Sequence, residues 1–286
     1  GRRAYVDVGA LCHSHECLMA ELLGELRCGA DRPRVLGLEP NAQNFRRTAA
    51  RLAALPRRWR RCRGLRRLAA GNKSRAGARL FGAGAKASLK PEAYRGLAWK
   101  AQGGGSVVSQ EDKHVEAVPV VRLASWAAGL RPPVREIELL KVDVEGGEWE
   151  VLEGAEPFLS QRRVGAVILE YSHFWGAGRR LRPLAERLSK QGYDGYFVGS
   201  RRLIPISGRR MEWWSELYEV CADPGARLYR GLAGWCWLDL AFVLRGSAAG
   251  RAASHCWAPW ELVPGPAAQR WPRGCGQRRG RALGAA

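Results

Sequence analysis

The chain has 286 residues, enough for one sizeable core plus a tail, and no second domain is needed to account for it. A formal charge of +20 ordinarily points to nucleic acid or an anionic surface, but 40 of the 47 basic residues are arginine and Ala, Gly and Arg are abundant throughout, which marks a chain-wide bias. The longest apolar run near the end, residues 231–244, is about 14 residues long and contains Asp239, so no membrane span is predicted. Eight cysteines without a CxxC pair or repeated spacing read as scattered thiols, which favours a reducing compartment over a disulfide scaffold. The first strand begins almost at Gly1, which leaves an upstream targeting or anchoring segment open.

Residues 4–8, AYVDV, read as a first buried strand carrying Asp7, followed by Gly9 and Ala10 and a helix over about 14–26. A strand, turn and helix of this kind lets backbone amides and a helix N-terminus hold an anionic group, as in nucleotide-binding folds. Within the turn, CHSHEC at 12–17 offers thiols and imidazoles that suit zinc. Its spacing fits no finger pattern and adjacent ligands converge poorly, so it reads as a loop with a capped helix and no metal site is assigned. Residues 34–39, RVLGLE, form a second strand whose terminal acid, Glu39, is placed to accept hydrogen bonds from ribose hydroxyls. The plainer alternative is a surface acid before a proline turn. A helix over 42–55 follows. The run RRWRRCRGLRR at 57–67 packs seven arginines around one Trp, either to bind a phosphate backbone or as a solvated connection. No dedicated nucleic-acid role is assigned to it. A third strand is expected over 65–71, a mobile Gly-rich insertion over 82–116, and another strand over 115–123.

The stretch 136–159, EIELLKVDVEGGEWEVLEGAEPFL, is the most informative. Its apolar run, broken by Lys141 and Asp143, suits a strand buried on both faces. Asp143 and Glu145, two residues apart, point the same way along a strand, and Gly146 and Gly147 permit a sharp exit into a helix. Ligands of open α/β sheets bind outside the carboxyl ends of the strands, where this pair of acids falls. Residues 164–171, VGAVILEY, bring Glu170 and then His173 to the same edge. His173 is either a general base, with a neighbouring carboxylate to orient it, or an ordinary loop histidine. A helix over 181–191, a strand and turn over 192–206, a lid or core segment over 211–230 and a last strand over 237–244 complete the pattern. From 246 onward there is no periodicity, so the chain divides into a domain over 1–245 and a disordered basic tail over 246–286.

Lys141, Asp143, Glu145 and Gly146 spell Lys-x-Asp-x-Glu-Gly, which resembles the signature of the FkbM family of methyltransferases. VDVGA at 6–10, EPNAQNF at 39–45 and LAAGN at 68–72 are similar to that family's other motifs, while Leu11–His15 replaces the Asn and second Gly usual after the first. The resemblance implies an α/β, Rossmann-like, seven-stranded, mostly parallel sheet with helices on both faces, and S-adenosylmethionine as cofactor. It implies a small-molecule acceptor, a hydroxyl of a sugar or metabolite. Carried onto this chain, it assigns the cofactor to Asp7, Gly9, Ala10, Glu39, Asn41, Ala70 and Asp143, and the acceptor to Glu145, Glu170 and His173. Two other classes stay open: a methyltransferase fold that binds without catalysing, and a basic surface binder. A dehydrogenase is disfavoured because no G-x-G-x-x-G follows the first strand.

Overall fold

A computed structural model describes residues 3–12, 17–25, 33–81, 87–89, 115–172, 175, 179–199, 203–208, 214, 216–219 and 237–256. Apolar strands alternate with amphipathic helices, and this forces an α/β arrangement. The strands are β1 (Arg3–Val8), β2 (Arg34–Leu38), β3 (Arg63–Arg66), β4 (Ala69–Gly71), β5 (Arg75–Phe81), β6 (Val115–Arg122), β7 (Glu136–Val142), β8 (Val164–Ser172), β9 (Tyr193–Val198), β10 (Leu203–Pro205) and β11 (Trp237–Leu244). The helices are α1 (Leu18–Glu25), α2 (Ala42–Ala53), α3 (Leu123–Gly129), α4 (Glu148–Leu159), α5 (Leu181–Lys190) and α6 (Ala248–Cys256), with a 3₁₀ turn at Arg57–Cys62. None of the described helices is long and apolar enough to cross a membrane.

The main sheet has the order β10-β9-β11-β8-β7-β1-β2-β3. β8, β7, β1, β2 and β3 run parallel, β11 lies antiparallel between β8 and β9, and β10 is antiparallel to β9. The expected count of seven strands is therefore corrected to eight, the extra one being the three-residue edge strand β10. Strand side chains alternate between faces. Val6, Val8, Leu36 and Leu38 accordingly join the core that contains Val151, Leu152 and Leu159 of α4, whereas Tyr5, Val35 and Leu65 pack with Met19, Leu22 and Leu23 of α1. Both faces are covered by helices.

The single strand expected over 65–71 divides in two. β3 pairs with β2 in the main sheet, and the chain then turns at Arg67 and Leu68 so that β4 joins a separate sheet of order β4-β6-β5. The small sheet is held to α4 at Gly154, where a Cβ atom would stand 2.2 Å from the carbonyl oxygen of Gly71.

Two further expectations are corrected. The disordered tail does not begin at 246, because α6 forms there: Ser247 Oγ accepts from Gly250 N–H at 3.0 Å, and Ala249 and Ala253, four residues apart, pack on Ala166, Tyr196 and Val243. Residues 257–286 lie outside the described part. The cysteines are not simply scattered thiols either. Cys12 and Cys17 form a disulfide with Cα atoms 4.3 Å apart, and no described cysteine is free. A search for CxxC spacing does not detect a pair separated by 5 positions. Most of the expected insertion at 82–116 lies outside the described residues.

Gly154→Ala should destabilise the fold by about 1–3 kcal/mol, since the added methyl must displace either α4 or β4. Gly77→Ala, where nothing lies within 4 Å of the new Cβ, is the control expected to leave urea-denaturation midpoints nearly unchanged.

Candidate active site

Parallel pairing aligns the carboxyl ends of four strands, with Val8 beside Leu38 and Val142, and Val142 beside Leu169. The residues that follow, Gly9, Glu39, Asp143 and Glu170, therefore emerge along one edge. A cavity of about 990 Å³ opens there. Of the residues assigned from sequence, Asp7, Gly9, Glu39, Ala70, Asp143, Glu145 and Glu170 line it.

Gly9 shows why the first turn demands glycine. Its φ is +83°, and a Cβ atom would sit 1.7 Å from the carbonyl oxygen of Asp143. Asp143 N–H donates to Val8 O at 2.9 Å, and Gly9 and Ala10 N–H donate to Leu38 O at 2.9 and 3.1 Å. Three strand ends are thus joined through backbone contacts around one residue without a side chain.

β7 ends at Val142, so Asp143 and Glu145 do not share a strand face as their spacing predicts; a turn brings them together. Glu145 adopts φ +56° and Gly146 φ +98°, which folds the segment back over the cavity. Glu148 sits inside this turn at 1% exposure, its Oε1 accepting from the N–H groups of Val144 and Gly146 at 3.1 Å each. The sequence reading above does not single out Glu148. The signal for more was an acid directly after Gly-Gly at a helix start, where a carboxylate reaches back to orphaned amides.

The cavity floor is acidic. Lys141 Nζ lies 2.9 Å from Asp143 Oδ2 and 3.8 Å from Asp7 Oδ1. Burial works against its charge, but Asp7 and Asp143 outweigh burial and hold the ammonium above the usual lysine value. Burial raises the Asp7 carboxyl to about 6 despite Lys141. Burial likewise raises Glu39 to about 7, against the opposing hydrogen bonds from Asn41 N–H, at 2.8 Å, and Asn44. Asp143, Glu145 and Glu170 offer carboxylate oxygens that all lie within 4.8 Å of one another, the described group able to hold a metal ion or another cation. Burial first, then the charges of Glu145 and Asp143, push Glu170 well above the carboxylate range, and its hydrogen bond with Asp143 reinforces the shift. Asp239 on β11, opposite Glu170 in the strand register, also lines the cavity and was not anticipated.

Two assigned residues are placed elsewhere. Ala10 does not line the cavity and is buried in the cluster around Met19. Asn41 caps α2, its Oδ1 accepting from Gln43 and Asn44 N–H at 3.0 Å each. His173, His13 and His15 lie outside the described residues, as does most of 211–230.

Because Asp7 and Glu39 are raised above their ordinary values of 3.8 and 4.5, the folded state holds their protons more tightly than the unfolded chain does. Their stabilising contribution is whole below those values and is lost as pH rises through about 6 and about 7. The thermal midpoint should therefore fall between pH 5 and pH 8 in the ligand-free protein, and Glu39→Gln should flatten that fall. A midpoint that rises over the same interval contradicts the burial of these acids.

Residues 23–194 match the family model described as the methyltransferase FkbM domain. No curated protein and no solved structure matches the chain. The matched span includes the Glu39 strand end, the 143–147 turn and Glu170, and it begins after β1 with its Asp7 and Gly9. With more than half of its length matched and with the sheet order and acidic strand ends just described, the chain belongs to the FkbM methyltransferase family.

Proposed function

We propose that this methyltransferase uses S-adenosylmethionine to methylate a hydroxyl oxygen of a sugar or small metabolite. The observation that carries this reading is the gathering of Asp7, Glu39, Asp143, Glu145 and Glu170 on one cavity at the carboxyl edge of the sheet. Its volume of about 990 Å³ stands at the upper end of ligand pockets, large enough for a nucleoside cofactor and an acceptor side by side. An acid-lined floor suits a cofactor bearing a sulfonium and an ammonium.

On this reading Glu39, already fixed by Asn41 N–H, accepts from the ribose hydroxyls, and the backbone at Gly9 receives the amino-acid portion. Ala70, on β4, offers a flat buried wall to the base. Asp143, oriented by Lys141, faces the cationic end. The cofactor supplies an electrophilic methyl group: a C–O bond forms to the acceptor, the C–S bond breaks, and a neutral thioether remains. Glu145 takes the hydroxyl proton, and Glu170, protonated and hydrogen-bonded to Asp143, orients the acceptor. Holding acceptor oxygen and methyl in contact supplies most of the acceleration.

Calorimetry with S-adenosylmethionine and with its demethylated product tests the reading directly. Both should bind, and Glu39→Ala should weaken them by about ten- to a hundredfold through loss of a charged acceptor. Glu145→Gln should leave cofactor affinity within about twofold while lowering methyl transfer, measured with labelled cofactor and a metabolite extract, by about 10²-fold or more. Absence of heat with either compound rejects the enzymatic reading and favours a binding protein that keeps the fold alone.

A further inference from the structure

The turn that carries Glu145 is held along its backbone, one group at a time. Asp143 N–H donates to Val8 O at 2.9 Å, and Glu148 Oε1 takes the N–H groups of Val144 and Gly146. The Glu145 carbonyl lies between those two amides, and its donor stands 57 positions earlier in the chain: Ser88 Oγ–H, at 2.7 Å.

Ser88 is itself fixed. It exchanges both backbone hydrogen bonds with Phe81, the last residue of β5, at 2.8 and 2.9 Å, and is 1% exposed. Its chain neighbours Ala87 and Leu89 line the cavity together with Phe81. A residue paired to the edge strand of the small sheet thus reaches, through its hydroxyl, the turn that follows β7 in the main sheet. A serine that merely satisfies its own hydroxyl has a nearer choice, since serine commonly bonds backbone groups of its own turn.

The conformation Ser88 meets is one that needs holding. Glu145 and Arg162 are the described residues other than glycine with positive φ, and of the two it is Glu145 that lines the cavity. A residue with a side chain stays in the left-handed region only where its surroundings fix it. Leaving that region rotates the backbone at 145. The rotation swings the Glu145 carbonyl away from Ser88 and carries the carboxylate away from Asp143 and Glu170, whose oxygens lie within 4.8 Å of it.

We infer that Ser88 is a positioning residue for the methyl transfer: its hydrogen bond holds the left-handed backbone of Glu145 and so aims the carboxylate that takes the acceptor's proton. The link to catalysis rests on the base role proposed above for Glu145; the hold on its backbone does not.

Ser88→Ala should lower kcat by about ten- to a hundredfold, measured with labelled cofactor varied against a fixed dose of metabolite extract. Cofactor KM and calorimetric affinity should stay within about twofold, because Gly9 and Glu39 hold that ligand through other contacts. Ser88→Thr, which keeps the hydroxyl, should recover most of the rate, whereas Ser88→Cys, alike in shape but a weak donor, should not. Thermal midpoints show which variants are folded, and the cysteine variant carries the test if the alanine one is not. In a Glu145→Gln background Ser88→Ala should cost little more, since a residue that acts through the carboxylate has nothing left to aim. Full rate in Ser88→Ala, or an equal fold-loss in both backgrounds, overturns the inference. A readout independent of activity is the Gly146 amide, which shares its peptide bond with the Glu145 carbonyl. In protein isotope-labelled at glycine, Ser88→Ala should shift that resonance and speed its hydrogen exchange by about tenfold or more, with the Gly37 and Gly195 amides unmoved. An unmoved Gly146 amide also overturns the inference. A displaced Gly146 amide in a protein that shows neither cofactor heat nor methyl transfer rejects the enzymatic reading and leaves the hold on Glu145 standing.

Discussion

Lys141 sets its ammonium 2.9 Å from Asp143 and 3.8 Å from Asp7, and so ties the carboxyl ends of β7 and β1, whose acids would otherwise repel one another in a partly dry setting. Taking charges out of water is costly, and a pair or triad persists only where geometry is good and further hydrogen bonds share the load. Here that load is spread over backbone as well as side chains. Asp143 N–H reaches Val8 O, Gly9 gives up its side chain to make room for the Asp143 carbonyl, and Glu148 closes the following turn from below. The cavity exists because these contacts keep the strand ends close while the chain departs from them in different directions.

Much of this was legible in the sequence, because buried parallel strands announce themselves as apolar runs and the acids at their ends interrupt those runs. Asp7, Glu39, Asp143 and Glu170 were found that way, each as an acid at or near the end of a strand. What failed to show were relations that depend on the turn rather than the strand. Glu145 joins the cluster through a left-handed residue, not through strand alternation, and Asn41 serves its own helix as a cap. Asp239 escaped notice because it sits inside a strand and meets the cavity only through antiparallel pairing with Glu170, a register that no single-strand reading contains. The division of 65–71 between two sheets is likewise a tertiary outcome of a short turn, and the pairing of Cys12 with Cys17 follows no CxxC spacing.

Charge is distributed in this molecule by depth. Lys73, Arg75 and Arg79 stand exposed on a cavity lining that also carries Asp7, Glu39, Asp143, Glu145 and Glu170, so the field changes sign within the cavity itself. Low-dielectric walls focus such a field, which makes the mouth attractive to anions and the floor to cations. A chain-wide surplus of arginine therefore coexists with a site of the opposite character, because burial selects which charges are retained there and composition alone does not.

The left-handed backbone of Glu145 carries a cost of its own. An L-residue with a side chain at φ +56° gives up on the order of 1–2 kcal/mol relative to glycine, which sits there without strain. Replacing it with glycine would relieve that strain and strip the cluster of one carboxylate. Glycine at 145 would trade one of the cavity's carboxylates for a relaxed backbone, so local strain and the acidity of the cavity are set by the same residue.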